Sequence, residues 1–168
     1  MPEQESAAAA IEVTLCCDGW TMTCADIALI AERAARAVLI HTGIENSPLV
    51  LDIRLTDDAE QQQLNRQYRG KDAPTNVLSF SATDPDLTPL PGMPLLLGDI
   101  VLAFETVQRE AAAQEKAFAD HVRHLVVHGV LHLLGFDHED EGEAKLMETL
   151  EIEILASTGV PDPYRDTM

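Results

Sequence analysis

Positive charge is scarce in this chain. Eleven lysines and arginines face 29 aspartates and glutamates over 168 residues, a formal net charge of −18. At first sight that excludes the broad basic surfaces with which proteins grip long polyanions. Long hydrophobic runs are absent too: none approaches the ~18 residues that span a bilayer, so no membrane association is expected. Cysteine is limited to Cys16, Cys17 and Cys24, an odd number crowded near one end. That rules out a disulfide framework and suits a reducing cytoplasm. The opening Met-Pro-Glu-Gln-Glu-Ser and the alanines after it lack the basic start and apolar centre of a secretory signal. Residues 1–10 are therefore expected to form a disordered tail. The composition, 46% apolar and 24% charged, is ordinary for a globular protein, and residues 11–168 suffice for one domain with its own core.

The charge is unevenly spread. Residues 61–81 carry Arg66, Arg69 and Lys71 against Asp72 alone, whereas residues 137–153 hold eight carboxylates against Lys145. Exposed charges farther apart than ~8 Å are largely screened at physiological ionic strength. A short basic strip can therefore hold a few phosphates on an otherwise acidic protein, with a correspondingly shallow salt dependence.

Periodicity sets out an α+β chain. Ile11 to Leu15 alternates as a short strand, and Leu49, Leu51, Ile53 and Leu55 give a second strand an apolar face. Between them, Thr23 with Asp26 resembles a capping pair for a helix that Gly43 stops. Asp57 and Glu60 open a polar helix that Gly70 ends. Asn76 to Phe80 and Leu97 to Ala103 read as strands, separated by a proline-rich segment, residues 81–96, that is best taken as a tolerated insertion. Helices follow over about 105–118, from Asp120 through the histidine-rich run, and over 143–156 with Leu146, Met147, Leu150 and Ile154 as the buried stripe. The order βαβαββααα predicts a single domain in which a small, mostly four-stranded mixed sheet is backed by helices.

The chemistry is concentrated between His128 and His138, in His128-Gly-Val-Leu-His132-Leu-Leu-Gly135-Phe-Asp-His138. Residues four apart on a helix project from one face, and a glycine three positions later can take the left-handed conformation that reverses the chain. His128, His132 and His138 are thus spaced for one metal ion, and three neutral nitrogens around Zn2+ leave a fourth position open for chemistry. His124 extends the run, but its distance from His132, two turns or ~12 Å of rise, prevents both from sharing one ion. It reads as a packed residue or a support for a ligand. His121 and His41 read as surface histidines. Asp137 either orients a ligand ring by accepting its N–H or simply closes a turn, and Glu139, Asp140 and Glu141 form a solvated acidic start to the last helix. Cys17 and Cys24 are candidate fourth ligands, with burial in the core the commoner fate of such cysteines.

The same spacing resembles the zinc frame of the metzincin peptidases, H-E-x-x-H-x-x-G-x-x-H. Gly129 stands where those enzymes carry the glutamate that acts as general base, which disfavours ordinary peptide hydrolysis. Together with Tyr68-Arg69-Gly70-Lys71-Asp72, Pro74-Thr75-Asn76-Val77-Leu78-Ser79-Phe80, Leu97-Gly98-Asp99-Ile100 and the closing Asp162-Pro163-Tyr164, the histidine run resembles the YbeY family of bacterial rRNA maturation factors. The resemblance spans about residues 50–164; Ser81 departs from it, standing where proline often follows the phenylalanine.

That resemblance implies a metzincin-like zinc-binding helix and turn and a metal-dependent endoribonuclease acting on single-stranded RNA. The implied task is 16S rRNA 3′-end maturation and ribosome quality control in the cytoplasm. The implied partners are the 16S rRNA precursor, the small ribosomal subunit and its assembly factors. It assigns one Zn2+ to His128, His132 and His138, and a catalytic role to His128 and Arg69. A guanidinium suits phosphate and the charge building on it, and Lys71 is a weaker candidate for the same contact. Thr75, Asn76 and Ser79 either touch substrate or bound a strand. Two rival readings fit the same residues: a zinc peptidase or other metallohydrolase using Asp137 or Glu139 as base, and a non-enzymatic, zinc-stabilised ribosome assembly factor.

Overall fold

The alternation in one strand organises the molecule. In the computed structural model, which describes residues 8–81, 94–136 and 140–164, Leu49, Leu51, Ile53 and Leu55 of β2 (Leu49–Thr56) are all buried while Asp52 between them is exposed. β2 lies inside a four-stranded sheet of order β1-β2-β4-β3. It pairs in parallel with β1 (Ala10–Leu15) and β4 (Leu95–Ala103), and β3 (Val77–Ser81) runs antiparallel along β4 at the edge. Parallel neighbours require crossover connections, and helices supply them here: α1 (Gly19–Thr23) and α2 (Ile27–Thr42) link β1 to β2, and α3 (Asp58–Arg69) leads on from β2. After β4 come α4 (Phe104–Ala113), α5 (Phe118–Leu133) and α6 (Glu141–Ser157). The α+β reading with a four-stranded mixed sheet therefore holds.

The core lies between the apolar sheet face and α2, α5 and α6. Leu51, Ile53, Ile100, Val126, Val130, Leu131 and Ile154 are sealed from solvent, each worth roughly 1.5–3 kcal/mol relative to exposure. Trp20 fills one end, its indole N–H donating to the carbonyl of Thr56 at 3.0 Å and its rings packing on Phe104 and Phe118. This buried anchor explains α1, a five-residue helix that periodicity does not reveal.

Several local expectations change. Ala10 already belongs to β1 and Ala9 is buried, so the fold begins earlier than residue 11. Asp26, not Thr23, is the residue before α2, while Gly43 closes that helix as expected. α4 stops at Ala113 because Glu115 takes a left-handed φ of 55° and the N–H of Lys116 reaches back to Ala111 at 2.9 Å. A glutamate in the place usually held by glycine gives no stop signal to read. α5 consequently starts at Phe118, and Asp120 sits in its first turn bonded to Arg123 rather than capping it. On α6, Leu146 is 53% exposed and Glu151, not a hydrophobe, completes the buried stripe with Met147 and Ile154. The proline-rich segment falls largely on residues 82–93, outside the described residues.

Gly98 is where space decides the sheet. With φ of +144°, it lets Phe80 of β3 approach so closely that a Cβ would lie 2.3 Å from the Phe80 carbonyl oxygen and 3.0 Å from Leu133. The motif Leu97-Gly98-Asp99-Ile100 thereby brings β3, β4 and the end of α5 together.

Candidate active site

α5 is buried along Val122, Leu125, Val126, Val130 and Leu133, which leaves His128 and His132 near the border of the buried stripe. One turn apart, their rings lie 5.2 Å between centroids with planes at 85°. Both line a pocket of about 350 Å³ whose walls also include Arg69 at the end of α3, Asn76, Val77 to Ser79 of the edge strand, His124 and Tyr164. The helix is held against that strand by the Ser79 hydroxyl, which donates to the carbonyl of Gly129 at 3.3 Å.

Arg69 is fixed from its own side. Asp57 caps α3 by accepting from the N–H of Glu60 at 2.8 Å, and Gly70 turns the chain with φ of 72°, placing Arg69 in the last helical residue. Its Nη2 donates to the Ser79 carbonyl at 2.5 Å, and the guanidinium carbon stands 5.5 Å from the centre of the Phe80 ring. Arg69 and the two helix histidines, far apart in the chain, are thus brought to one pocket. Lys71 is exposed and does not line it.

Two carboxylates that sequence reasoning passed over lie behind the pocket. Glu151 accepts from His128 Nδ1 at 2.6 Å, from His124 Nε2 at 3.1 Å and from the Tyr164 hydroxyl. Burial would raise its pKa, but these three donors outweigh it and hold the carboxyl at about 2. Tyr164 is displaced well upward, by burial and then by the adjacent Glu151 carboxylate, so its hydroxyl keeps the proton it donates. Glu110 accepts from Asn76 Nδ2 at 3.0 Å and meets His121 Nε2 at 2.9 Å. His121 is therefore not a surface residue: only 2% of its side chain is exposed, because it lies on the inward face of α5. Burial lowers its pKa despite Glu110. His41 does lie near the surface, 3.3 Å from Glu153. The one available signal for Glu151 was its place four residues after Met147 and three before Ile154, a charge on an apolar stripe.

The position that carries a glutamate in metzincins is filled in another way. A Cβ on Gly129 would already lie 3.1 Å from Ile100 and 3.2 Å from the Ser79 hydroxyl. α5 packs so closely on the sheet there that a larger side chain would have to displace Ile100 and Ser79.

The donor set suits a borderline metal such as zinc: two imidazoles one turn apart at an open, polar pocket, one of them held from behind by a buried carboxylate. Among the described residues no group of three or more His, Cys, Asp or Glu side chains is arranged to hold an ion. His138, expected as the third ligand, lies outside the described residues, as do Asp137 and Glu139. Gly135 takes a left-handed φ of 104° at the end of α5. Cys17 packs against the core and Cys24 donates to Asp26 at 3.4 Å, and neither lines the pocket.

The opposite sheet face holds a wider hollow of about 800 Å³. Glu12, Asp52 and Asp99 stand there in one cross-strand row. Burial, then the neighbouring Asp52, raises the pKa of Asp99. Its carboxylates have the wrong sign for a phosphate, so the smaller pocket with Arg69 is the better candidate.

Fold and site first define a class: an α+β domain whose functional groups project from a helix and an edge strand into an open polar pocket. Comparison with known proteins then gives the family. Residues 19–159 match the family described as Endoribonuclease YbeY. The chain is 51% identical to the Endoribonuclease YbeY of Paramagnetospirillum magneticum, over 92% of this chain and 94% of that protein. It is 51% identical to that of Rhodospirillum rubrum over 92% and 82%, and 55% identical to that of Magnetococcus marinus over 70% and 84%. The solution structure of TM1509 from Thermotoga maritima shares the fold, with a TM-score of 0.50 at 20% identity over 93% of this chain and 99% of that one. The chain belongs to the YbeY endoribonuclease family. Among the described residues no helix is long and apolar enough to cross a membrane.

Proposed function

We propose that this protein is a zinc-dependent endoribonuclease that cuts single-stranded RNA in the cytoplasm, acting in 3′-end maturation of 16S rRNA and in ribosome quality control. The observation that carries the reading is the convergence of Arg69 with His128 and His132 on one pocket in a chain of the YbeY family. His128, His132 and His138 would hold one Zn2+. Bound there, the ion would supply a nucleophile at neutral pH by lowering the pKa of water to ~7 and would polarise a phosphate oxygen.

The chain's own groups do the rest. Arg69, anchored on Ser79 and Phe80 through one edge of its guanidinium, meets the scissile phosphate and stabilises the charge that builds on it. Lys71 contributes an outlying phosphate contact. Asn76 and Ser79 shape the wall against which the strand lies. The small basic strip gives a short footprint, so delivery to the 16S precursor falls to the small ribosomal subunit and its assembly factors. A peptidase role is disfavoured because Gly129 supplies no carboxylate base and is closely packed against Ile100 and Ser79.

End-labelled single-stranded RNA incubated with highly purified protein tests the reading. His128→Ala and Arg69→Ala should each reduce cleavage by at least ~100-fold. Cleavage unchanged in both variants would assign the activity to a contaminant and end the proposal. Product ends then separate water attack, which leaves no cyclic phosphate, from attack by the ribose 2′-hydroxyl, which leaves a 2′,3′-cyclic phosphate.

A further inference from the structure

The last helix sends a carboxylate into the interior where its neighbours are apolar. Glu151 lies between Met147 and Ile154 on the inner side of α6, and all three are sealed from solvent. A charge in that position is costly unless donors surround it. Here the two oxygens are used differently. Oε1 takes the hydrogen bonds of His124 Nε2 and the Tyr164 hydroxyl, and Oε2 takes that of His128 Nδ1 at 2.6 Å. Tyr164 comes from the chain's closing segment and His124 from the turn of α5 before His128, so two separate parts of the fold converge on this one group of α6.

We infer that Glu151 is the positioning residue of the site: by accepting the Nδ1 proton of His128 it fixes the tautomer whose unprotonated nitrogen is Nε2. It thereby presents that nitrogen to a divalent transition-metal ion. The inference rests on reading His128 as a metal ligand and adds what prepares it. A neutral imidazole exchanges between two tautomers, and only one offers its lone pair at Nε2. A carboxylate on the far nitrogen selects that tautomer, stops the ring from turning and makes the remaining nitrogen a better donor. His124 and Tyr164 saturate Oε1 and orient the carboxylate without drawing on Oε2. The task that the sequence offered to Asp137 is performed, for His128, by a residue 23 positions downstream on another helix.

The tautomer can be read in the metal-free protein, without RNA, from long-range nitrogen–proton correlations of the imidazoles at about pH 8, a pH at which an ordinary imidazole is neutral. The His128 signals are assigned by their loss in His128→Asn. The wild type should show His128 as the Nδ1–H form. Glu151→Gln, which keeps the shape but can offer its amide N–H to Nδ1, should lose that preference and weaken zinc binding, titrated with zinc alone, by 10–100-fold. Ile154→Ala, equally buried on the same helix, should lower thermal stability while leaving zinc affinity within about twofold, which separates positioning from general loosening of α6. An Nε2–H tautomer in the wild type would overturn the inference, and needs no variant of Glu151 to fold. So would Glu151→Gln with unchanged tautomer and affinity. The Nδ1–H tautomer together with zinc binding but no RNA cleavage would leave the positioning role standing and count against the nuclease.

Discussion

Of the histidine–carboxylate contacts on helix α5, those of His121 and His128 are built in opposite senses. In the pair nearer its N-terminus the imidazole is enclosed and the carboxylate open: His121 is 2% exposed and Glu110 32%. About two turns on, the carboxylate is enclosed and the imidazole open: Glu151 is 1% exposed and His128 24%. The separations differ little, 2.9 Å and 2.6 Å. Burial, not distance, distinguishes them. An enclosed imidazole is kept neutral by desolvation and serves to bind structure together, here tying α5 through Glu110 to Asn76 at the pocket wall. An enclosed carboxylate with an open imidazole in front of it is braced from behind, and the ring's face is given to the pocket.

Truncation should expose this asymmetry most strongly at the two acids. Glu151→Ala removes the sealed acceptor that three donors share, and unfolding by denaturant should show a loss of about 3 kcal/mol or more. Glu110→Ala, where water can replace the carboxylate, should lose only about 1 kcal/mol. Equal losses would mean that the two pairs are equivalent.

Next in size is the packing between the pairs. Gly129→Ala forces a methyl against Ile100 and the Ser79 hydroxyl, and should destabilise by about 1–3 kcal/mol in thermal or chemical unfolding. Gly129→Glu should fold poorly and acquire no casein hydrolysis. A folded Gly129→Glu protein with zinc-dependent peptidase activity would reverse the functional reading.

The smallest effect is a pH dependence confined to the enclosed imidazole. Burial depresses the His121 pKa in the fold below its ordinary 6.5, so the unfolded chain binds the proton more readily. The resulting stability is fully present above about pH 6.5 and is lost as the pH falls below it, toward the depressed folded value. Glu110, Lys116 and His124 face this ring and modulate the drop. His121→Phe should remove that part of the acid sensitivity while RNA cleavage at neutral pH persists. A melting temperature that falls as steeply between about pH 7 and pH 5.5 in the variant as in the wild type would locate the effect elsewhere.

Much of the molecule could be read before folding because local chemistry and burial agreed. The strand at Leu49–Thr56 shows its buried face in every second residue, and Gly43, Gly70 and Gly135 stand where left-handed turns form. Reading failed where a residue type did something uncommon. Glu115 occupies a left-handed turn without being glycine, so α4 reads as running to about residue 118 although it stops at Ala113. Glu151 and His121 are polar groups on buried faces, and polarity alone places such residues at the surface. Neither error could be corrected locally, since each depends on a partner from another element: Glu110 for His121, and α5 with the closing segment for Glu151.

By itself, the sequence determined the mixed α+β architecture, the family and the helix that carries His128 and His132, because periodicity, turn chemistry and motif spacing are properties of neighbouring residues. Only the tertiary structure decided that Arg69 shares their pocket, that Gly129 packs closely against Ile100 and Ser79 and that Glu151 stands behind His128. Those facts depend on which surfaces meet across the core, and a buried charge is tolerated only where distant parts of the chain deliver its hydrogen-bond donors.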